Sequence, residues 1–183
     1  QMLAKGIDFP YVTLVGVVLA DIGLGLPDFR SSERTFQLLT QVAGRAGRSP
    51  LGGNVIFQTY QPENYAIQRA SKHDYEGFFH QEIEKRRKLN YPPFTRLVRL
   101  ESRSQKETEA KEQSEIIFEK IKSWIESGPY PQTELIGPVP CYFQRLGGYF
   151  RWQVIIRGPR PTDIIRSKDL GEAIITIDPV SLL

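Results

Sequence analysis

The apolar pattern changes character part-way along the chain. Residues 12–20, VTLVGVVLA, form a continuous β-branched run, the pattern of a strand covered on both faces within a parallel sheet. The Gly-, Asp- and Pro-rich stretch 21–29 predicts a loop, after which Ser32 caps a helix starting at Glu33. Phe36, Leu39 and Ala43 share one face of that helix, Leu38 and Val42 widen it, and Gly44 and Gly47 weaken its end. Residues 54–60 read as a second strand, and strand, helix, strand is the order of an α/β layer. A helical stretch over 64–89, interrupted around His73 and Asp74, comes next. Tyr91-Pro92-Pro93-Phe94 stops it, because proline has no backbone donor and restricts the residue before it.

Beyond that stop the periods shorten. Residues 97–101 alternate as a strand, and 105–127 place Ala110, Ile117, Ile121 and Trp124 at helical spacing with Phe118 and Ile125 alongside. Strands over 133–136 and 151–157, a short helix over 162–170 and a last strand over 173–177 complete the order β-α-β-β-α-β, a small α+β domain. The chain therefore reads as the end of a parallel α/β layer followed by an α+β module. The division is placed at residues 1–68 and 69–183.

Composition narrows the class. The 183 residues are 40% apolar, enough for a core in either part. No apolar run approaches the roughly 18 residues that span a bilayer, so no membrane is predicted. The opening QMLAKGIDFP has no secretory pattern and no initiator methionine, which predicts a piece of a longer protein. The single cysteine, Cys141, excludes an internal disulfide framework or an all-cysteine zinc site in this chain and fits a reducing compartment, with cytoplasm the default. The net charge of +3 is mild, but its distribution is uneven. Residues 71–103 hold eight basic and five acidic side chains, and 104–137 hold four basic and seven acidic.

One constellation carries chemistry. In Gln41-x-x-Gly44-Arg45-x-Gly47-Arg48 two guanidiniums lie three residues apart, with glycines that permit close backbone approach. A planar, permanently charged fork suits the oxygens of a transferring γ-phosphoryl group. Taken alone, GRxGR is equally a glycine-rich helix end with two solvated arginines. About forty residues upstream, Lys5-Gly6-Ile7-Asp8-Phe9-Pro10 puts a turn and a carboxylate at the entrance of the apolar strand.

Together the two segments resemble motifs V and VI of superfamily 2 helicases. With Asp21, Leu24, Pro27-Asp28-Phe29-Arg30 and Glu33-Arg34-Thr35 between them, the chain resembles the PriA family of replication-restart helicases. The likeness continues through Gln58-Thr59-Tyr60-Gln61-Pro62, Glu82 with Arg86-Arg87, Tyr91-Pro92-Pro93-Phe94 and Gly148-Tyr149-Phe150-Arg151-Trp152-Gln153. It implies the end of a RecA-like helicase lobe followed by a C-terminal domain whose fold is similar to a small ribosomal α+β protein. The implied activity is an ATP-dependent, 3′–5′ DNA helicase that binds stalled or branched forks and reloads the primosome in the bacterial cytoplasm, in association with the nucleoid.

Gln41, Arg45 and Arg48 match motif VI, where the resemblance implies catalytic contacts to the ATP γ-phosphate. Gly6 and Asp8 of motif V and Gly44 are the implied cofactor-contacting positions, coupling nucleotide to DNA. The P-loop and the Mg²⁺-binding acidic box are absent, so ATP and Mg²⁺ are held mainly by a first lobe outside this chain and the fragment alone is inactive. The family's zinc site likewise draws its ligands from elsewhere. Some relatives have degenerate P-loops, and the alternative reading is a non-catalytic fork-binding scaffold for primosome loading. An RNA helicase would share motif VI without the YPPF and RWQ segments.

In the C-terminal part, Arg145, Tyr149, Arg151, Trp152 and Gln153 are the candidate contacts to branched and single-stranded DNA or to a partner, because cations interleaved with aromatics neutralise phosphate beside stacked bases. Strand alternation gives the competing reading, in which Phe150 and Trp152 are core while Arg151 and Gln153 are exposed. The resemblance also implies that this region receives the acidic C-terminal tail of single-stranded DNA-binding protein, with Gln153 the nearest contact. Tyr149 stands where family members often carry arginine. Lys85-Arg86-Arg87-Lys88 is a second DNA-facing candidate or a solvated helix end, and His73 and His80 have no metal-ligand company.

Overall fold

The computed structural model describes residues 12–46 and 53–183. These fall into two compact units that part between Lys85 and Arg86.

In the first unit β1 (Leu14–Val17) and β2 (Asn54–Phe57) pair in parallel, Leu14 opposite Asn54 and Val17 opposite Phe57. Parallel strands need a crossover, and α1 (Ser31–Ala46) supplies it. The helix starts before the predicted cap, so Ser32 lies inside its first turn. The residue that orders this end is Asp28, whose carboxylate accepts the Arg30 N–H at 2.8 Å and Arg34 Nη1 at 3.2 Å. Arg30 in turn grips Glu33 through Nε and Nη2 at 3.1 and 2.7 Å. The predicted apolar face is buried at Phe36, Leu39 and Ala43, but Leu38 points outward. The run 12–20 differs from a fully covered strand: Leu14 and Val18 are 60% and 71% exposed, because the described residues cover one face of the two-stranded sheet with α1 and supply no second layer.

Two further helices close this unit, α2 (Tyr65–Ser71) and α3 (Tyr75–Lys88). Asn64 Oδ1 caps α2 by accepting the Ala66 N–H at 3.0 Å. The interruption foreseen at His73 and Asp74 is present, with His73 in the left-handed region at φ 52° and Asp74 Oδ1 accepting the Gly77 N–H at 2.8 Å to open α3. Phe36 and Phe78 stack at 4.2 Å between ring centroids, and Tyr65 stacks on Phe78 at 5.8 Å. This packing carries the first unit past residue 68 to Lys85.

The second unit opens with the end of α3 and the segment Tyr91–Phe94, where Asn90 is left-handed and the Tyr91 N–H reaches Arg86 O at 2.8 Å. It contains β3 (Arg96–Ser104), α4 (Glu107–Ser127), β4 (Glu134–Leu146), β5 (Tyr149–Gly158), α5 (Pro161–Ile165) and β6 (Ile174–Ile177), in the predicted β-α-β-β-α-β order. The sheet order is β4-β5-β3-β6 with every neighbour antiparallel, so β5 slots between the strands that α4 connects. Val98, Leu100, Val154 and Ile156 form one sheet face, against which Ile121 of α4 and Ile164 of α5 pack. Strand β4 is much longer than the predicted 133–136. Pro138 and Pro140 masked it in the sequence, and the sheet tolerates them because β4 is an edge strand with register shifts at both. Helix α5 stops early, at Ile165, where Ser167 turns left-handed at φ 59°.

Ring packing in the first unit gives a direct test. Phe36→Ala should lower stability by about 3–5 kcal/mol in urea unfolding, and Tyr60→Ala, at an 83% exposed position, by less than about 0.5 kcal/mol.

Candidate functional site

The first candidate lies at the end of α1. Gln41 is exposed and Arg45 half-buried in the last turn, one helical repeat apart, so both lie along one flank. Gly44 is exposed, and a Cβ there would meet nothing within 4 Å. Its lack of a side chain is therefore not required by packing among the described residues. Gly6, Asp8 and Arg48 lie outside them.

Two anchors that the sequence pattern did not single out set the loops around these elements. Asp21, after β1, accepts the Thr59 hydroxyl and, at 2.8 Å, the Tyr60 N–H, linking the chain segments that leave the two parallel strands. The Thr59 hydroxyl and then the Tyr60 amide hold its carboxyl below the usual carboxylate range. Asp28 does the equivalent work at the start of α1, its side chain fully shielded from solvent. Both belong to quoted segments, and the signal that marks them is a carboxylate placed after an apolar strand or before a helix.

The second candidate is the β4–β5 region. On β5 the alternation expected from sequence holds for Phe150 and Trp152, but the face expected to be exposed is buried as well. Phe150 and Trp152 are half-buried on the side that carries α4, where Lys111 Nζ sits 5.8 Å from the Trp152 ring centroid. Arg151 and Gln153 are buried on the opposite face. The reason is Glu101 on the neighbouring β3, itself 1% exposed. Arg151 donates from Nε to Glu101 Oε1 at 2.7 Å and from Nη2 to Oε2 at 2.8 Å, and its Nη1 reaches Phe143 O at 3.3 Å. Arg103 Nε also donates to Oε1, and Arg99 Nη2 lies 3.5 Å from Oε2.

Arg151 is therefore an internal ion pair, corrected from a surface phosphate contact, and a phosphate would have to displace Glu101 to reach it. Gln153 is corrected in the same way. It is 6% exposed, with its side-chain oxygen buried and unpartnered. Arg145 and Tyr149 remain on the surface, Arg145 lying over the Phe150 ring at 5.2 Å. The 85–88 cluster is partly committed to packing. Lys85 sits 3.9 Å over Tyr65 in the first unit, and in the second Arg87 sits 4.8 Å over Phe94.

Electrostatics follow the geometry. Burial pushes the Glu101 carboxyl up, but hydrogen bonds from Arg151 and then Arg103 outweigh it and hold the group below its usual range. Burial, reinforced by the Glu101 charge, pushes the nearby Cys141 thiol up to about 11. A buried, protonated thiol is a poor metal ligand, and no cluster of three or more His, Cys, Asp or Glu side chains suited to a metal ion occurs among the described residues. No helix among them is long and apolar enough to cross a membrane.

Residues 87–178, half of the chain, match the primosomal protein N C-terminal domain family. The chain belongs to the PriA family. It is 43% identical over 164 residues to the replication restart protein PriA of Bacillus subtilis, covering 90% of this chain and 20% of that protein. The Synechocystis PriA is 39% identical over 191 residues, covering all of this chain and 22% of the relative, and the Chlamydia trachomatis PriA is 36% identical over 193, covering 99% and 25%. The chain thus spans about a fifth to a quarter of the length of the curated PriA relatives it matches. The PriA C-terminal domain match begins within α3, one residue after the start of the second compact unit.

Glu101→Gln should destabilise the second unit by about 3–5 kcal/mol, because it strands buried arginine charge. Since the folded carboxyl is held below its ordinary value, the wild-type contribution is complete above pH 4.5 and is lost as pH falls through the lowered folded pKa. Urea unfolding as a function of pH checks both, the variant lacking this acid-range loss. Cys141 should resist thiol-modifying reagents at neutral pH until the protein is unfolded.

Proposed function

We propose that this chain is the C-terminal part of an ATP-dependent DNA helicase that translocates 3′–5′, binds stalled or branched replication forks and restarts replication through primosome assembly. The single observation that carries the reading is membership of the PriA family together with the motif VI flank, in which Gln41 and Arg45 share one side of the last turns of α1. A half-buried guanidinium beside an exposed amide, on a helix that crosses between parallel strands, is suited to charge stabilisation at a phosphoryl group presented by another lobe.

ATP with Mg²⁺ would meet Gln41, Arg45 and Arg48, and Gly6, Asp8 and Gly44 are the motif positions assigned to the cofactor. Bound nucleotide supplies the phosphoryl group whose transfer drives translocation. The work assigned to this chain is to hold guanidinium charge against the γ-phosphate oxygens, and the Asp28–Arg34 and Asp21–Thr59 links keep the helix and its flanking loops in place for it. Zinc in the parent protein is assigned to residues outside this chain, since Cys141 is shielded and protonated.

The second unit is assigned to branched and single-stranded DNA and to primosome proteins. Its exposed Arg145 and Tyr149 support that reading: residues 135–162 hold no acidic side chain, and of the four arginines there Arg151 and Arg157 are committed to Glu101 and Glu134 while Arg145 and Arg160 stay on the surface, where they suit a polyanion. The acidic tail of single-stranded DNA-binding protein is a further proposed partner. Arg145 and Tyr149 offer it an accessible surface, and Gln153 would need to be uncovered first.

In the helicase that carries both lobes, Arg45→Ala and Arg48→Ala should each lower DNA-stimulated ATP turnover by about 10³-fold or more while leaving fork affinity within about twofold. Steady-state ATPase and fluorescence-anisotropy titrations measure the two. Unchanged turnover contradicts the motif VI assignment.

A further inference from the structure

The β4–β5 hairpin holds a feature that the motifs do not mark. Between the Pro140–Trp152 and Arg145–Phe150 pairs β4 advances five residues while β5 advances two, so β4 extrudes a bulge. Its buried end is Cys141, and its outer part, Tyr142 and Phe143, is 49% and 54% exposed. The two rings meet edge to face at 5.0 Å, leaving ring surface open to solvent. Leu146 and Tyr149 extend the exposed apolar surface along the hairpin, and Gly147 and Gly148, both left-handed, make the tight turn that brings β5 back beside it.

Exposed rings on a loose loop would carry little meaning, but this bulge is held at three places. Arg151 Nη1 donates to Phe143 O at 3.3 Å while its other nitrogens hold Glu101. Gln144 Nε2 donates to Glu107 Oε1 on α4 at 2.6 Å. Cys141 is buried against the same charged cluster. The fold thus spends a buried ion pair and a link to α4 on presenting two aromatic rings to water, with the exposed Arg145 two residues further along the strand.

We propose that the Tyr142–Phe143 bulge is a stacking platform for unpaired bases at a DNA branch, with Arg145 beside it neutralising the phosphate of the stacked nucleotide. The assignment rests on the reading of the second unit as DNA-binding and adds to it the substrate feature recognised, an unstacked base. Rings accept any base face, so recognition is of single-strandedness and not of sequence. The exposed cations of Arg145 and Arg160, in a segment without acidic side chains, favour a polyanion over an apolar partner. Arg151 is a positioning residue here, acting through the carbonyl of Phe143.

The test titrates the protein, by fluorescence anisotropy, with a fork bearing an unpaired arm, with the same fork abasic along that arm, and with a fully paired duplex. Wild type should bind the intact arm about fivefold or more tightly than the abasic one, the effect of stacking at least one base. Tyr142→Ala with Phe143→Ala should erase that difference while leaving duplex binding and thermal unfolding unchanged. Tyr142→Trp with Phe143→Trp should restore it, with indole fluorescence quenched on binding. Equal affinity of wild type for intact and abasic arms, or a preference that survives the alanine pair, overturns the platform and leaves DNA binding standing. A wild type that binds none of the three DNAs overturns the DNA-binding reading itself. Loss of binding to an acidic peptide in the alanine pair, with the base preference intact, assigns the bulge to a protein and also overturns the proposal.

Discussion

Glu101 sits in β3, one of the two inner strands of the sheet, and is almost completely removed from water. A lone carboxylate there would be protonated or would unfold its surroundings. It stays charged because two arginines hydrogen-bond to it and a third lies close, and Arg151 forms the paired, two-point contact whose geometry only guanidinium provides. The rest of the second unit is arranged around that pair. It is the reason that the face of β5 turned away from α4 is buried as well. It shields Cys141, and through the Phe143 carbonyl it sets where the hairpin leaves the sheet. An all-apolar layer would supply comparable stability, so the feature that the ion pair adds is direction: its spare nitrogen holds one particular carbonyl.

The first unit solves a related problem with cheaper means. A crossover helix between parallel strands must begin and end at defined points, and its loops contribute no core. Carboxylates do the fixing, Asp28 before α1 and Asp21 after β1, each joining chain segments that the strands alone leave apart. The two units share a logic in which an acidic side chain fastens the interior through an arginine, Asp28 through Arg34 and Glu101 through Arg151. The proposed function uses other arginines, Arg45 on the flank of α1 and the exposed Arg145 at the hairpin.

Much of this was legible in the residues. Helical spacing identified Phe36, Leu39 and Ala43 as a buried face, and the break at His73 and the stop at the double proline were readable because left-handed turns and missing donors are local properties. The β-α-β-β-α-β order followed from period alone. What escaped was set by neighbours distant in sequence. Alternation sends Phe150 and Trp152 to the helix side and Arg151 to the other, but it does not show that the other face is buried too, and the reason for that lies fifty residues upstream in Glu101. The length of β4 was hidden because prolines argue against a strand until that strand is known to be an edge. Tyr142 and Phe143 went unmarked because an extruded bulge has no signature except the pairing it interrupts. For the proposed nucleotide contacts, the motifs carried the assignment and the described geometry adds the shared flank of Gln41 and Arg45.

The central claim is that Arg151 is an internal fastener and that Arg145 is the cation facing DNA. Salt dependence of fork binding separates them, because each phosphate contact contributes about 0.7 to 0.9 to the slope of log affinity against log salt concentration. Glu101→Leu with Arg151→Met removes both members of the buried pair, and Arg145→Met removes the surface cation. The predicted result is a wild-type slope for the first protein and a slope shallower by about 0.7 to 0.9 for the second. A shallower slope on loss of Arg151, with Arg145→Met unchanged, would contradict the account.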